Sequence, residues 1–103
     1  MALPPALAAR FVAHLQDLHG DVVALASEVA APDGAATDRL ERLRHLSHQL
    51  AGTAESYGFP RVGECARQVE RAMQAGADGD PALVGRVREL GDALQDAVRS
   101  GPA

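Results

Sequence analysis

Aromatic residues are scarce in this chain of 103 residues, which has one tyrosine, two phenylalanines and no tryptophan. Any hydrophobic core must therefore be built mainly from alanine, valine and leucine, and the hydrophobic fraction is 47%. Good helix formers are abundant, while the aromatic residues that favour strands are few, so the composition predicts an all-α protein. The length suits one domain covering residues 1–103.

Cysteine, basic clusters and long apolar runs are also scarce. The single cysteine, Cys65, cannot form an internal disulfide, and nothing in the sequence implies an oxidising compartment. The net charge is −4 with both signs interspersed, which argues against nucleic-acid binding through phosphate contacts. No stretch approaches the roughly 20 apolar residues of a membrane span, and the first residues lack a signal-peptide pattern. We therefore expect a cytoplasmic protein without a membrane segment.

Apolar residues recur every three or four positions along four segments, which is the spacing of amphipathic helices. The predicted helices cover about residues 6–30, 37–57, 60–75 and 81–100. Composition predicts turns over residues 31–34 and 76–79, with Thr37 and Asp80 as helix caps and Gly58 ending the second helix. Gly20 lies inside the first segment, where it either bends the helix or splits it. Four such helices with short connections predict an antiparallel up-down four-helix bundle.

The second predicted helix carries the most informative residues. Its apolar positions form one stripe at about 100° per residue: Leu43, Leu46, Leu50, Ala54 and Tyr57. His48 lies roughly 150° from the centre of that stripe, which places an ionisable nucleophile on the solvent face. Gly52 follows one turn later on the same face, although a glycine inside a helix costs up to about 1 kcal/mol. This arrangement favours a site that another molecule must approach closely.

These residues resemble the histidine phosphotransfer (HPt) family of two-component phosphorelays. The family has a histidine, a lysine three residues later, a glycine next to that lysine, and a second glycine six residues further on. A cysteine, an apolar residue and a glutamate follow on the next helix. The matching positions here are His48, Gly52, Gly58, Cys65, Val69 and Glu70. One position departs from the pattern, because Ala51 stands where the family has its lysine.

The resemblance implies a monomeric phosphocarrier. His48 would accept a phosphoryl group from an aspartyl phosphate of a receiver domain and pass it to another receiver aspartate. The partners would be the receiver domain of a response regulator, a hybrid sensor histidine kinase, or both. The receiver would supply Mg²⁺, so the chain would need no cofactor of its own. No nucleotide-binding pattern is present, and we expect a carrier rather than an enzyme.

Four residues near His48 are predicted to contact the partner: Arg44, His45, Gly52 and Glu55. Arg44 lies one turn before His48 and within about 40° of it, which makes it the best substitute for the missing lysine. A solvated arginine paired with a neighbouring acid is an equally good interpretation. His45 could tune or replace His48. Glu55 and Glu41 would repel a phosphoryl group, although salt screens this effect.

Two alternatives stay open from the residues alone. The first is a degenerate HPt-like adaptor that binds a kinase or receiver without carrying phosphate, which the loss of the lysine at Ala51 permits. The second is a helical metal-binding bundle with His45 and His48 as ligands. The His-x-x-His spacing occurs once, and Cys65 falls in a predicted buried stripe, where it suits the core better than a redox centre.

Overall fold

A computed structural model describes residues 4–30, 37–75 and 81–100, with the side chains of residues 8, 28–30 and 37–39 left aside. Within these ranges the chain forms no strand and four helices: α1 (Pro5–Ala30), α2 (Thr37–Thr53), α3 (Pro60–Gln74) and α4 (Pro81–Ser100). The all-α prediction is confirmed. The predicted turns over residues 31–34 and 76–79, the Asp80 cap and the side chain of Thr37 lie outside the described part. No helix there is both long enough and apolar enough to cross a membrane.

Prolines begin three of the four helices. Pro5, Pro60 and Pro81 are the first residues of α1, α3 and α4. Proline is favourable at this position because its missing N–H has no intrahelical partner and its fixed φ already suits a helix. Gly20 does not divide α1, which is one continuous helix of 26 residues. A Cβ at Gly20 would meet no atom within 4 Å, so this glycine lies in open space on the helix surface.

Neighbouring helices run in opposite directions. Between α2 and α3, His48 meets Glu70, and Glu55, in the turn that follows α2, meets Arg67. Between α3 and α4, Gln68 meets Arg86 and Arg61 meets Asp96. Asp21 of α1 meets Arg42 of α2, and Phe11 of α1 stacks on Tyr57 in the turn that follows α2. In each pair of helices, a later residue on one helix meets an earlier residue on the other. The packing of α1 against α4 closes the bundle.

Leucine and valine fill the core, as the scarcity of aromatic residues requires. The largest fully buried apolar side chains come from all four helices: Leu15, Val22, Leu25, Leu43, Val62, Val69, Leu83, Val87, Leu90 and Leu94. Four members of the predicted stripe of α2 are buried: Leu43, Leu46, Leu50 and Ala54. Each buried leucine stabilises the fold by about 1.5–3 kcal/mol. This burial fixes the rotation of α2 about its axis and directs His48 outward.

The chain leaves α2 through a tight turn closed by Gly58. The helix ends at Thr53, four residues before the predicted end at Tyr57, because the backbone tightens into turns over residues 54–58. The Phe59 N–H donates to the Ala54 carbonyl at 2.9 Å, and the Gly58 N–H donates to the Glu55 carbonyl at 3.1 Å. These are the paired bonds of a Schellman motif, which needs a left-handed residue. Gly58 supplies it with φ 91°.

The aromatic side chains gather at this turn. Phe11 of α1 stacks on Tyr57, with ring centroids 4.2 Å apart and planes 7° from parallel. The ring of Phe59 lies 5.4 Å from that of Phe11 on a tilted plane. Aromatic pairs of this kind contribute about 0.5–1.5 kcal/mol beyond the area they bury. The cluster therefore holds the α2–α3 turn against α1.

We expect Gly58→Ala to lower the free energy of unfolding by about 1–2 kcal/mol, because an alanine Cβ is strained in the left-handed region. Gly20→Ala is the matched control, since it removes a glycine from an open position inside a helix and should stabilise by up to about 1 kcal/mol. Urea unfolding of the three proteins measures both effects. Equal stability of Gly58→Ala and the parent protein would show that the turn tolerates another conformation.

Candidate functional site

His48 projects from the outer face of α2 and is tied to α3 by one hydrogen bond. Its side chain is 78% exposed, yet Nδ1 lies 2.9 Å from Oε2 of Glu70. The Glu70 side chain is only 19% exposed, so its carboxylate is mostly shielded from water. It contacts the ring at Nδ1, and most of the imidazole faces solvent. The ring is therefore both accessible and held in one orientation.

The partner of Nδ1 determines which ring nitrogen is available for chemistry. An ionised carboxylate can only accept hydrogen bonds, so the Nδ1–H of His48 donates to Glu70. In the neutral ring the other nitrogen, Nε2, then carries the free lone pair. A carboxylate that fixes the tautomer and orientation of a histidine in this way is a recurrent feature of catalytic and metal-binding sites. In His48 it leaves Nε2 as an exposed nucleophile.

A groove of about 420 Å³ runs between α2 and α3 beside the ring. Its lining residues are Glu41, Arg44, His45, His48, Glu70 and Gln74. The structure thus brings together three of the predicted site residues, Arg44, His45 and His48. All three are exposed, and Arg44 has no ion-pair partner among the described residues. The predicted alternative of an acid-paired arginine finds no support at this position.

Gly52 lies one turn beyond His48 on α2, Glu55 lies in the turn that follows α2, and neither lines that groove. A Cβ at Gly52 would meet no atom within 4 Å, so packing inside the chain does not demand a glycine there. The space over Gly52, one turn from His48, is open to an approaching molecule. Such an open position is what the predicted access role of Gly52 requires.

Glu55 is engaged by a cation from α3. Nη2 of Arg67 lies 2.7 Å from Oε2 of Glu55, and Nη1 of the same guanidinium lies 3.2 Å from Oε2 of Glu64. These two hydrogen bonds raise the pKa of Arg67 above its ordinary value, so the guanidinium is charged at any working pH. The negative charge predicted to repel a phosphoryl group at Glu55 is therefore already matched.

Glu70 and Arg67 were not among the predicted site residues. Glu70 matches a position of the family pattern without a predicted role, and Arg67 belongs to no predicted motif. Both belong to a polar stripe of α3, with Gln74, that borders the buried residues Val69 and Met73. That spacing indicates a helix edge, but only the antiparallel register of α2 and α3 shows which residues of α2 this edge faces.

Cys65 is partly buried against the core and away from the groove. Burial raises the pKa of its thiol, and the nearby positive charge of Arg61 only partly opposes this effect. The thiol is therefore protonated at neutral pH and weakly nucleophilic. Within the described ranges, no three His, Cys, Asp or Glu side chains converge as metal ligands would, so the alternative of a metal-binding bundle gains no support.

Comparison with known proteins gives the family. The family model of the Hpt domain matches residues 6–98. The match spans most of the chain, which therefore belongs to the Hpt domain family, as the resemblance predicted. Hpt domains are phosphocarrier modules of two-component signalling and interact with receiver and kinase partners. No curated protein and no solved structure matches the chain significantly.

The hydrogen bond to Glu70 predicts the tautomer of His48. We expect the neutral His48 ring to carry its proton on Nδ1, and Glu70→Ala to shift it largely to Nε2, because the carboxylate acceptor is lost. Glu70→Gln keeps an acceptor oxygen and should keep the proton on Nδ1. Long-range ¹⁵N–¹H correlation spectra distinguish the two forms, with His45 as the internal control. The same tautomer in the parent protein and Glu70→Ala would remove the orienting role of Glu70.

Proposed function

We propose that this protein carries a phosphoryl group on Nε2 of His48. It accepts the group from an aspartyl phosphate on a receiver domain and donates it to the aspartate of another, between a hybrid sensor histidine kinase and a response regulator. The observation that supports this most is the exposed ring whose Nδ1–H is held by Glu70 at 2.9 Å. An exposed, oriented nucleophile suffices on the carrier's side, because phosphoryl transfer depends mainly on positioning and charge.

Phosphoryl transfer to His48 does not require the ring to lose a proton. The Nε2 lone pair attacks phosphorus while the bond from phosphorus to the aspartyl oxygen breaks, and that bonding pair stays on the departing carboxylate. Nδ1 keeps its proton, so the ring becomes positively charged and faces the Glu70 carboxylate. The reverse step restores the neutral ring. Reversible transfer of this kind requires no general base from the chain.

The receiver supplies what the groove lacks. Mg²⁺ and an acidic pocket come from the receiver, and the carrier contributes no cofactor. The chain acts as a monomer that contacts the receiver through residues around His48: Arg44, His45, Gly52 and Glu55. Arg44 is well placed to meet acidic groups because it is exposed beside the ring. Relay partners must separate after each transfer, so the interface is small and short-lived.

The orientation of His48 favours a carrier over an adaptor. An adaptor needs a surface that binds a receiver, but it has no use for a half-buried carboxylate that fixes one ring nitrogen. Ala51 is the residue that supports the adaptor, because it removes a cation near the reacting histidine. The two functions differ in one observable, which is the presence of an acid-labile phosphate on the protein.

His48→Gln should abolish phosphoryl uptake from a phosphorylated receiver and leave the helical content unchanged, because the side chain is exposed and packs little. His45→Gln is the matched control and should still be labelled, since His45 lies in the same groove without the Glu70 contact. Acid-labile ³²P on each protein is the measurement. Binding without labelling of the parent protein would establish the adaptor, and labelling of His48→Gln would assign the phosphate elsewhere.

Gly52→Gln should slow transfer from the receiver while keeping or raising thermal stability. A helix-interior glycine costs up to about 1 kcal/mol, and a longer side chain beside His48 would obstruct a closely packed interface. Gly85→Gln on α4 is the matched control, because a Cβ at Gly85 likewise meets no atom within 4 Å. Rapid-quench transfer rates compare the three proteins. A parent-like rate for Gly52→Gln would contradict the access role.

A further inference from the structure

Among the described residues that line the groove beside His48, positive charge is scarce for a site that is proposed to hold a phosphoryl group. A phosphoryl group on a side chain carries about −1.5 to −2 charge at pH 7. The described part of the lining already includes two carboxylates, Glu41 and Glu70, and Arg44 is the one arginine or lysine among these described residues. A second cation from outside the described lining would therefore stabilise negative charge gathered at Nε2.

The register of α2 against α3 indicates where such a cation lies. The hydrogen bond between His48 and Glu70 shows that these two residues lie at the same height along the α2–α3 interface. One end of the same interface is marked by Gly63, where an added Cβ would lie 3.8 Å from the Cβ of Ala54. Ala51 is midway between His48 and Ala54, the first residue after α2, so it is level with the midpoint of residues 63 and 70 on α3. That midpoint falls at Ala66 and Arg67.

Arg67 thus stands opposite the position at which α2 has an alanine. It lies three residues from Glu70, which is one turn along the same edge of α3. Arg44 lies one turn from His48 in the other direction along α2, toward Glu41. The open space over Gly52 is close to the level of Arg67, which leaves the guanidinium room to turn toward His48.

The present partners of Arg67 hold it weakly. Glu55 and Glu64 are 61% and 49% exposed, and ion pairs in contact with water contribute little to stability. A phosphoryl group offers a guanidinium two parallel hydrogen bonds and a larger charge than either carboxylate. Once Arg67 leaves, both carboxylates stay hydrated, so their loss of a partner costs little.

We propose that Arg67 turns from Glu55 and Glu64 to the phosphoryl oxygens on His48 and stabilises the phosphorylated state. This inference rests on the phosphocarrier function proposed above. Arg67 then acts as the cation that a lysine at position 51 would supply from α2. Phosphorylation of His48 also releases the carboxylates of Glu55 and Glu64, which changes the charge of the surface next to Gly52.

The test measures how a phosphoryl group distributes at equilibrium between a receiver aspartate and His48. Arg67→Gln should reduce the share on His48 by about threefold, and the effect should shrink at high salt because the charges are exposed. Ala51→Lys should restore the share in the Arg67→Gln background. Arg86→Gln is the control, since it removes the same charge from an arginine of α4 that bonds to Glu89 on its own helix and to Gln68 on α3. Glu64→Gln should raise the share on His48, because it removes one of the two carboxylates that hold Arg67. This variant keeps Arg67 and so tests the same role should Arg67→Gln fold poorly.

A second measurement detects the loss of contact between Arg67 and its two glutamate partners. The carboxylate ¹³C signals of Glu55 and Glu64 should shift when His48 is phosphorylated, and the shift should be absent in Arg67→Gln. An unchanged distribution in Arg67→Gln, or a loss found only in Arg44→Ala, overturns the role of Arg67 while the carrier function stands. No labelling of the parent protein at all overturns both proposals.

Discussion

The antiparallel packing of α2 against α3 is the constraint on which the site depends. Buried leucines fix the rotation of α2, and the small Gly63 lets α3 approach the backbone at Glu55, whose amide nitrogen lies 3.6 Å from the position of an added Cβ. That approach sets the level at which Glu70 meets His48. A slide of one residue moves a helix by about 1.5 Å, which is enough to break a 2.9 Å hydrogen bond. The nucleophile is therefore oriented by the core, although it lies outside it.

Much of the fold follows from sequence periodicity. The apolar stripe of α2 predicts both the helix and the outward direction of His48, and Pro60 and Pro81 mark the first residues of α3 and α4. The end of α2 is harder to predict, because helical spacing continues to Tyr57 while the backbone already tightens after Thr53. Gly58 indicates a termination, but the hydrogen bonds of the last turn determine where the helix stops.

Only the part of the site that lies on α2 can be predicted from local sequence patterns. His48, Arg44 and His45 lie within two turns of one helix, so a helical wheel places them on a common face. Glu70 and Arg67 come from another helix, and their relation to His48 depends on the register between two elements, which a single sequence does not specify. The same limit explains Glu55, whose partner Arg67 is twelve residues away in the chain. Charge counted along α2 alone therefore misjudges the electrostatics of the surface.

The aromatic cluster at the α2–α3 turn gives this protein a built-in optical reporter. Tyr57 is the only tyrosine and there is no tryptophan, so ultraviolet fluorescence and most near-ultraviolet dichroism originate from a single ring. That ring stacks on Phe11 from α1, which ties its signal to tertiary packing rather than to helical content. Separation of α1 from the turn would change the tyrosine signal while far-ultraviolet dichroism stays constant. Loosening at this end of the bundle can thus be followed in the unlabelled protein.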